Sequence, residues 1–411
     1  MNRTLLMQKD KYSLNRWWYV FFGIIIMICL GTVYSYSIFR VTIEKMFNIG
    51  SMQSGMPYMM ALAFYAIFMF LTGKYLDKFN PKLIILIGGL LVSLGWILSS
   101  FAPSIFILTI TYGLISGAGV GIVYGVPLTV VARWFPEKKG LAVGLVLIGF
   151  GLSPLITAPL ARILVEQHGI MNAFKILGIS FGLIISILSL PFKYPSESEL
   201  LNLNITKHIK KSLNEINTIE MIKSKKFKGL YINFLIGTTV GLMLVGLTGS
   251  VGTELIGLST KDISLLMALF AIFNGIGRPI FGWITDKFST QNAMYLSYGL
   301  IISSAILILF ANEGDVLLYL ISFSIFWFNL GGWLAIAPTS TLELYGAKHY
   351  SQNYGVVFTA YGFGAIAGVM TSGLLVDIHQ NYHSVFYFVI GLCSIGVLTT
   401  SRLLNIKQKM N

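Results

Sequence analysis

The sequence predicts an all-α integral membrane protein with twelve transmembrane helices in two pseudo-symmetric six-helix halves. Three observations carry this. Of 411 residues, 55% are hydrophobic and only 11% charged, with a mean hydropathy of +0.77; a soluble domain carries about 25% charged residues. Apolar runs recur at the length a bilayer crossing needs, about 20 residues. The two ends of the chain also repeat one another, as detailed below.

The runs fall at about 17–39, 55–76, 82–101, 104–132, 140–165, 172–193, 229–253, 262–284, 291–311, 315–342, 352–376 and 383–404. The first follows Arg16. It is too long for the apolar core of a signal peptide and has no small-residue cleavage site, so it reads as a membrane helix. Trp17 and Trp18 at its start are placed to anchor in the interface. Several runs carry internal Gly and Pro, which membrane helices tolerate. The glycines of the fourth run, among them Gly113, Gly117, Gly119, Gly121 and Gly125, allow close helix packing. Between the sixth and seventh runs lies a polar, lysine-rich stretch, the one long loop. It divides the chain into an N-terminal bundle (1–193), a cytoplasmic loop (194–228) and a C-terminal bundle (229–411).

Basic residues set the orientation. With both termini cytoplasmic, the inner segments hold 23 of the 29 lysines and arginines. The outer segments hold Arg40, Lys45, Arg162, Lys175 and Lys261. The net charge of +13 is therefore a topology signal for a multi-pass plasma-membrane protein, and no nucleic-acid partner is expected. Cys29 and Cys393 sit in distant apolar runs and read as core thiols. No His, Cys and carboxylate cluster has metal spacing. There is no nucleophile elbow, phosphate loop or carboxylate pair. No enzyme activity, metal or cofactor is expected, and the chain reads as a monomer.

The repeat is specific. Gly73-Lys-Tyr-Leu-Asp77-Lys-Phe79 follows the second run. Gly282-Trp-Ile-Thr-Asp286-Lys-Phe288 follows the eighth, the second of its own half, 209 residues later. Gly149-Phe-Gly151 and Gly362-Phe-Gly364 recur in the fifth and eleventh. Duplicated halves joined by a loop are the build of a carrier that rocks about a central site.

The sharpest single residue is Arg278. It lies eight residues before Asp286, which marks the end of the eighth run. That is roughly 12 Å deep at about 1.5 Å per residue, where a cation costs about 2.5–3.5 kcal/mol. One turn earlier, on the same face, stands Asn274, which cannot neutralise it. None of the 16 acids falls in the middle of a run, so the missing anion is expected from outside. A guanidinium fork matches one carboxylate with two hydrogen bonds. The alternatives are an acid on another helix, or backbone carbonyls. Tyr34, Tyr36, Tyr124 and Tyr361 can offer hydroxyls or serve as packing aromatics, and Asn329 in the tenth run is open to either reading.

The G-x-x-x-D-K-F segments resemble the loop motif of the major facilitator superfamily, and the twelve-run pattern covers essentially the whole chain. Arg133-Trp-Phe-Pro-Glu-Lys-Lys-Gly-Leu-Ala-Val-Gly144, with Asn274-x-x-x-Arg278-Pro, is similar to the oxalate/formate antiporter family, which groups with the monocarboxylate transporters. That resemblance implies the major facilitator fold. It implies that Arg278 binds the substrate carboxylate and that Tyr34 and Tyr124 face the cavity. It implies that Asp77 and Asp286, with Gly73 and Gly282, latch the cytoplasmic side, where Arg133 is a candidate partner. The family's oxalate carriers have a lysine in helix 11, and the aligned residue here is Tyr361. One cation in place of two argues for a monocarboxylate.

The expectation is thus a secondary transporter of small organic anions such as formate, lactate or pyruvate, working by alternating access in the lipid bilayer. Oxalate/formate exchange is the alternative. A membrane sensor that keeps the fold without flux, or an exporter of neutral solutes, belongs to other classes.

Overall fold

In the computed structural model, residues 3–76, 78–135, 139–196, 199, 216–346 and 349–404 are described. Spanning helices among them are α1 (Arg16–Phe47), α2 (Ser51–Gly73), α3 (Pro81–Ser99) and α4 (Ile105–Trp134). The run Lys139–Ser189 is continuous over 51 residues but breaks at Gly169, where φ is 76° and ψ 161°. Fifty-one helical residues would reach about 76 Å, more than twice the hydrocarbon thickness. Only glycine adopts that backbone conformation cheaply, so the chain turns back there with no loop. The result is α5 (139–168) and α6 (170–189). The remainder are α7 (Lys225–Leu255), α8 (Thr260–Lys287), α9 (Thr290–Ile308), α10 (Val316–Tyr345), α11 (Tyr350–His379) and α12 (His383–Leu403). Twelve apolar helices therefore stand among the described residues, as the hydropathy pattern predicts. Ser224, Ser259 and Ser289 cap α7, α8 and α9 by accepting from the N–H three residues on, which satisfies donors the helix leaves free.

Arg16, the α2–α3 turn and the end of α12 share one end of the bundle, called here the terminal end; the α1–α2 and α7–α8 turns lie at the far end. Small residues let helices meet closely. Gly117 and Gly121 of α4 face the backbone of α2 at Ala61 and Tyr65. The first six helices meet the last six mainly through α2 with α11, α5 with α8, and α1 with α7. At the far end these contacts are tight. A Cβ on Gly249 would lie 2.6 Å from the Ser37 carbonyl oxygen, and one on Gly373 2.5 Å from the Met52 Cα. Toward the terminal end they loosen. Gly355 would meet Phe70 at 3.5 Å, and a Cβ on Gly144 of α5 would meet nothing.

One expectation is corrected. The first helix does not stop near residue 39 but runs to Phe47, and Arg40 is not on an outer loop. Arg40 is 2% exposed. It stands one turn from Glu44, with 3.4 Å between Nε and the carboxylate. Neutralised within its own helix, the arginine stays inside the bundle and the helix continues. Within α1, the segment Gly31–Ser35 tightens to a 3-10 turn. Ser153 of α5 donates to the Ile28 carbonyl beside it. Cys29 and Cys393 are both buried free thiols.

Candidate functional site

Arg278 sits on α8 and is 5% exposed. One guanidinium nitrogen donates to the Leu147 carbonyl of α5 at 2.7 Å. The other reaches the Asn274 Oδ1 at 3.4 Å, one turn earlier on its own helix. Asn274 is in turn fixed by donating to the Trp327 carbonyl of α10 at 3.0 Å. The Arg278 Nε has no partner. Among the described residues, no carboxylate stands within salt-bridge distance of Arg278; the ion pairs there are Arg40–Glu44, Arg162–Glu166 and Lys193–Glu199. The guanidinium is held by a carbonyl and an amide, with the Tyr124 hydroxyl close by, and a buried charge without a counter-ion is costly.

The structure brings several expected residues to this point. The hydroxyls of Tyr34 and Tyr124 lie within electrostatic reach of the guanidinium. Tyr34 of α1 and Tyr361 of α11 share a hydrogen bond of 3.0 Å between their hydroxyls, joining the two halves of the chain. All three tyrosines are at most 3% exposed. Tyr36, by contrast, points away and donates to the Ser54 carbonyl. Asn329 of α10 donates to the Ile325 carbonyl of its own helix and its Oδ1 is unpartnered; it makes no hydrogen bond to Arg278 or Asn274.

Sequence reasoning did not single out the rest of the box. Tyr65 of α2 lies 5.0 Å from Tyr124, 5.9 Å from Phe150 and 5.5 Å from Tyr361, ring centre to ring centre. Phe358 of α11 is 4.8 Å from Tyr361. These aromatics pack against one another and against Tyr124 and Tyr361. Gly151 of α5 is the other unassigned member. A Cβ there would lie 2.7 Å from the Asn274 Oδ1 and 3.1 Å from the Arg278 Nε. The glycine therefore lets α5 pack directly against the buried edge of the guanidinium, where a side chain would collide with it. Its signal was present in the repeated Gly-Phe-Gly pattern, but nothing in one sequence says that this glycine faces this arginine.

The expected gating residues lie at the terminal end. Gly73 closes α2 and Gly282 lies within α8. Asp286, in the last turn of α8, is exposed. Asp77 is outside the described residues. Arg133, at the end of α4, lies 4.1 Å over the ring of Tyr194, whose hydroxyl donates to the Leu76 carbonyl.

Comparison with known proteins agrees with this architecture. The Major Facilitator Superfamily model matches residues 20–342. The chain is 28% identical over 386 residues to the oxalate:formate antiporter of Oxalobacter formigenes, covering 93% of this chain and 89% of that one. It is 27% identical to monocarboxylate transporter 12 of Xenopus laevis, over 81% of this chain and 77% of that one. The resemblance noted from the motifs thus extends over most of the sequence. A crystal structure of a bacterial homologue of the human lysosomal transporter Spinster superposes with a TM-score of 0.66 at 14% identity, covering 95% of both chains. That likeness shows a shared fold. The chain is a multi-pass membrane protein that belongs to the Major Facilitator Superfamily of transporters.

Proposed function

We propose that this transporter carries small monocarboxylates, such as formate, lactate or pyruvate, by alternating access, with Arg278 as the anion anchor. The observation that carries the proposal is the Arg278 guanidinium, buried with a free Nε and, among the described residues, no acid beside it. A carboxylate bridging its fork gains two charge-assisted hydrogen bonds. Asn274 orients the arginine, Tyr34 and Tyr124 supply nearby hydroxyls, and Tyr361 ties Tyr34 across the two halves. Residues 1–193 and 229–411 are the two rocking bodies, with loop 194–228 between them. Because the site touches both, through Leu147 of α5 and Tyr361 of α11, occupancy bears on how the bodies meet. Asp77, Asp286 and Arg133 are proposed to act in closing the terminal side, which the basic residues assign to the cytoplasm of a cell whose plasma membrane holds the protein.

The similarity to an oxalate:formate antiporter supports a second reading, oxalate/formate exchange. It is weakened by charge. A dianion beside one guanidinium leaves its second carboxylate desolvated and uncompensated, and Tyr361 offers only a hydroxyl. Arg40, also buried, is already paired with Glu44. The test is uptake of radiolabelled formate, lactate, pyruvate and oxalate into proteoliposomes, with counterflow. Oxalate outcompeting all three monoanions favours exchange. Binding without any counterflow favours a sensor.

A further inference from the structure

The far end carries a second buried charge system that the transport reading leaves unused. Arg40 of α1 spreads its guanidinium over three helices. Its Nε donates to the Ser54 Oγ of α2 at 2.9 Å. One terminal nitrogen donates to the Gly246 carbonyl of α7 at 3.0 Å. The other donates to the carbonyl and, at 2.7 Å, the hydroxyl of Ser51. Ser51 is also the first residue of α2, and its N–H donates to the Asp377 Oδ1 of α11 at 3.0 Å. The Met52 N–H donates to the other oxygen of the same carboxylate at 3.1 Å. An acid from α11 thus caps the N-terminus of α2, where both the free N–H groups and the helix dipole favour an anion.

From these contacts we infer that Arg40 and Asp377 form a two-way clamp that holds the far end closed and must release for the far mouth to open. The inference rests on the alternating-access reading. Each set of helices gives one charge and receives a backbone group from the other set. Arg40 belongs to the first six helices and takes the Gly246 carbonyl from the last six. Asp377 belongs to the last six and takes the two N–H groups of α2 from the first six. Ser51 joins the two arms, since Arg40 and Asp377 both bond to it. The bonds lost on opening are those to the backbone, which water can replace. The Arg40–Glu44 pair stays within α1, so the arginine is never left unpaired in either state. A buried pair that had to break across the mouth would expose an uncompensated charge at each cycle. The backbone crowding at Gly249 and Gly373 lies beside this clamp, whereas the looser contacts at Gly355 and Gly144 lie at the other end.

The test is a distance measurement by spin labels in the purified, substrate-free protein. Lys45 and Lys261 are exposed at the far end, on α1 and α8; Lys78 and Lys287 are exposed at the terminal end. Cysteines at either pair take the label, while Cys29 and Cys393 are buried. The parent should show one short far-end distance. Asp377→Ala removes one arm at the half-buried end of α11 and leaves the core untouched. It should raise a longer far-end population about a hundredfold, the equivalent of two charge-assisted hydrogen bonds. Arg40→Gln should do the same where it folds. If the far-end pair lengthens while the terminal pair shortens, clamp and rocking motion both stand. If the far-end pair lengthens and the terminal pair does not move, the clamp stands and the rocking reading fails. An unchanged far-end distance in Asp377→Ala overturns the clamp.

Discussion

Among the described residues two arginines are buried, and they differ in one respect that separates their proposed roles. Arg278 on α8 donates across to the Leu147 carbonyl of α5. Arg40 on α1 donates across to the Gly246 carbonyl of α7. Both are at most 5% exposed. Arg40, however, has Glu44 one turn away and hydrogen bonds from all three of its nitrogens. Arg278 has no acid beside it among the described residues and keeps a bare Nε. Burial of a cation in a membrane protein therefore does not by itself mark a ligand site. In the proposal made above the missing counter-ion does: Arg40, saturated, serves as a fastener, and Arg278 as the anion anchor.

Each prediction sets the two arginines or their surroundings against each other. The largest effect is expected for Arg278→Gln, which should reduce carboxylate uptake about a hundredfold, the equivalent of two charge-assisted bonds. Arg278→Lys should also fall well short, since an ammonium does not reproduce the fork. Initial rates in proteoliposomes decide this, and full uptake by Arg278→Gln would falsify the assignment. The same change at Arg40 should act on stability. Arg40→Gln leaves the Glu44 carboxylate with the Ser54 hydroxyl but no cation, and breaking a buried pair costs about 3–5 kcal/mol. Because Glu44 keeps 16% of its side chain exposed, a loss of about 2 kcal/mol is expected. Thermal unfolding in detergent reads it; equal melting of Arg40→Gln and Arg278→Gln would erase the distinction.

A smaller effect is expected at Gly151→Ala. The added methyl presses on the Asn274 Oδ1 and covers the Arg278 Nε. Substrate affinity should drop about tenfold, in keeping with the 1–3 kcal/mol cost of overpacking, while Gly144→Ala, which meets nothing, should leave affinity as it is. The smallest is the selectivity of Tyr361→Lys. A second cation should move preference a few-fold from monocarboxylates toward oxalate. The gain is limited because a lysine without a partner in the empty site tends to lose its proton. A competition series of formate, lactate, pyruvate and oxalate on both proteins measures it, and no shift would argue against the one-cation explanation of specificity.

Much of this was legible in the residues. Twelve spans follow from hydropathy because hydrocarbon admits only long apolar helices. Arg278 was legible because a charge eight residues from a helix end has no easy way out. The end of α1 was misjudged for the same reason reversed. Arg40, Glu44 and Lys45 look like a loop to any hydropathy argument, yet Arg40 and Glu44 stand one turn apart and cancel. The i, i+4 spacing was the available signal. The turn at Gly169 hid because it needs no loop. Tyr65, Phe150, Phe358 and Gly151 were not legible as a site, since each meets its partners across helices distant in sequence. The same holds for Asp377, whose partners Ser51 and Met52 lie more than 300 residues away.

The most direct measurement of the central claim is ligand-dependent melting of the purified parent and Arg278→Gln proteins, with formate, lactate, pyruvate and oxalate each titrated in turn. A ligand that binds only the folded protein raises its stability by about 2.7 kcal/mol at a hundred times its Kd. The parent should melt higher with a monocarboxylate. Arg278→Gln should melt no lower than the parent without ligand, because an uncompensated buried charge has been removed, and should show no rise with any of the four. A ligand-induced rise that survives in Arg278→Gln, or a variant that no longer folds without ligand, would contradict the claim that the unpaired guanidinium is there to hold the anion.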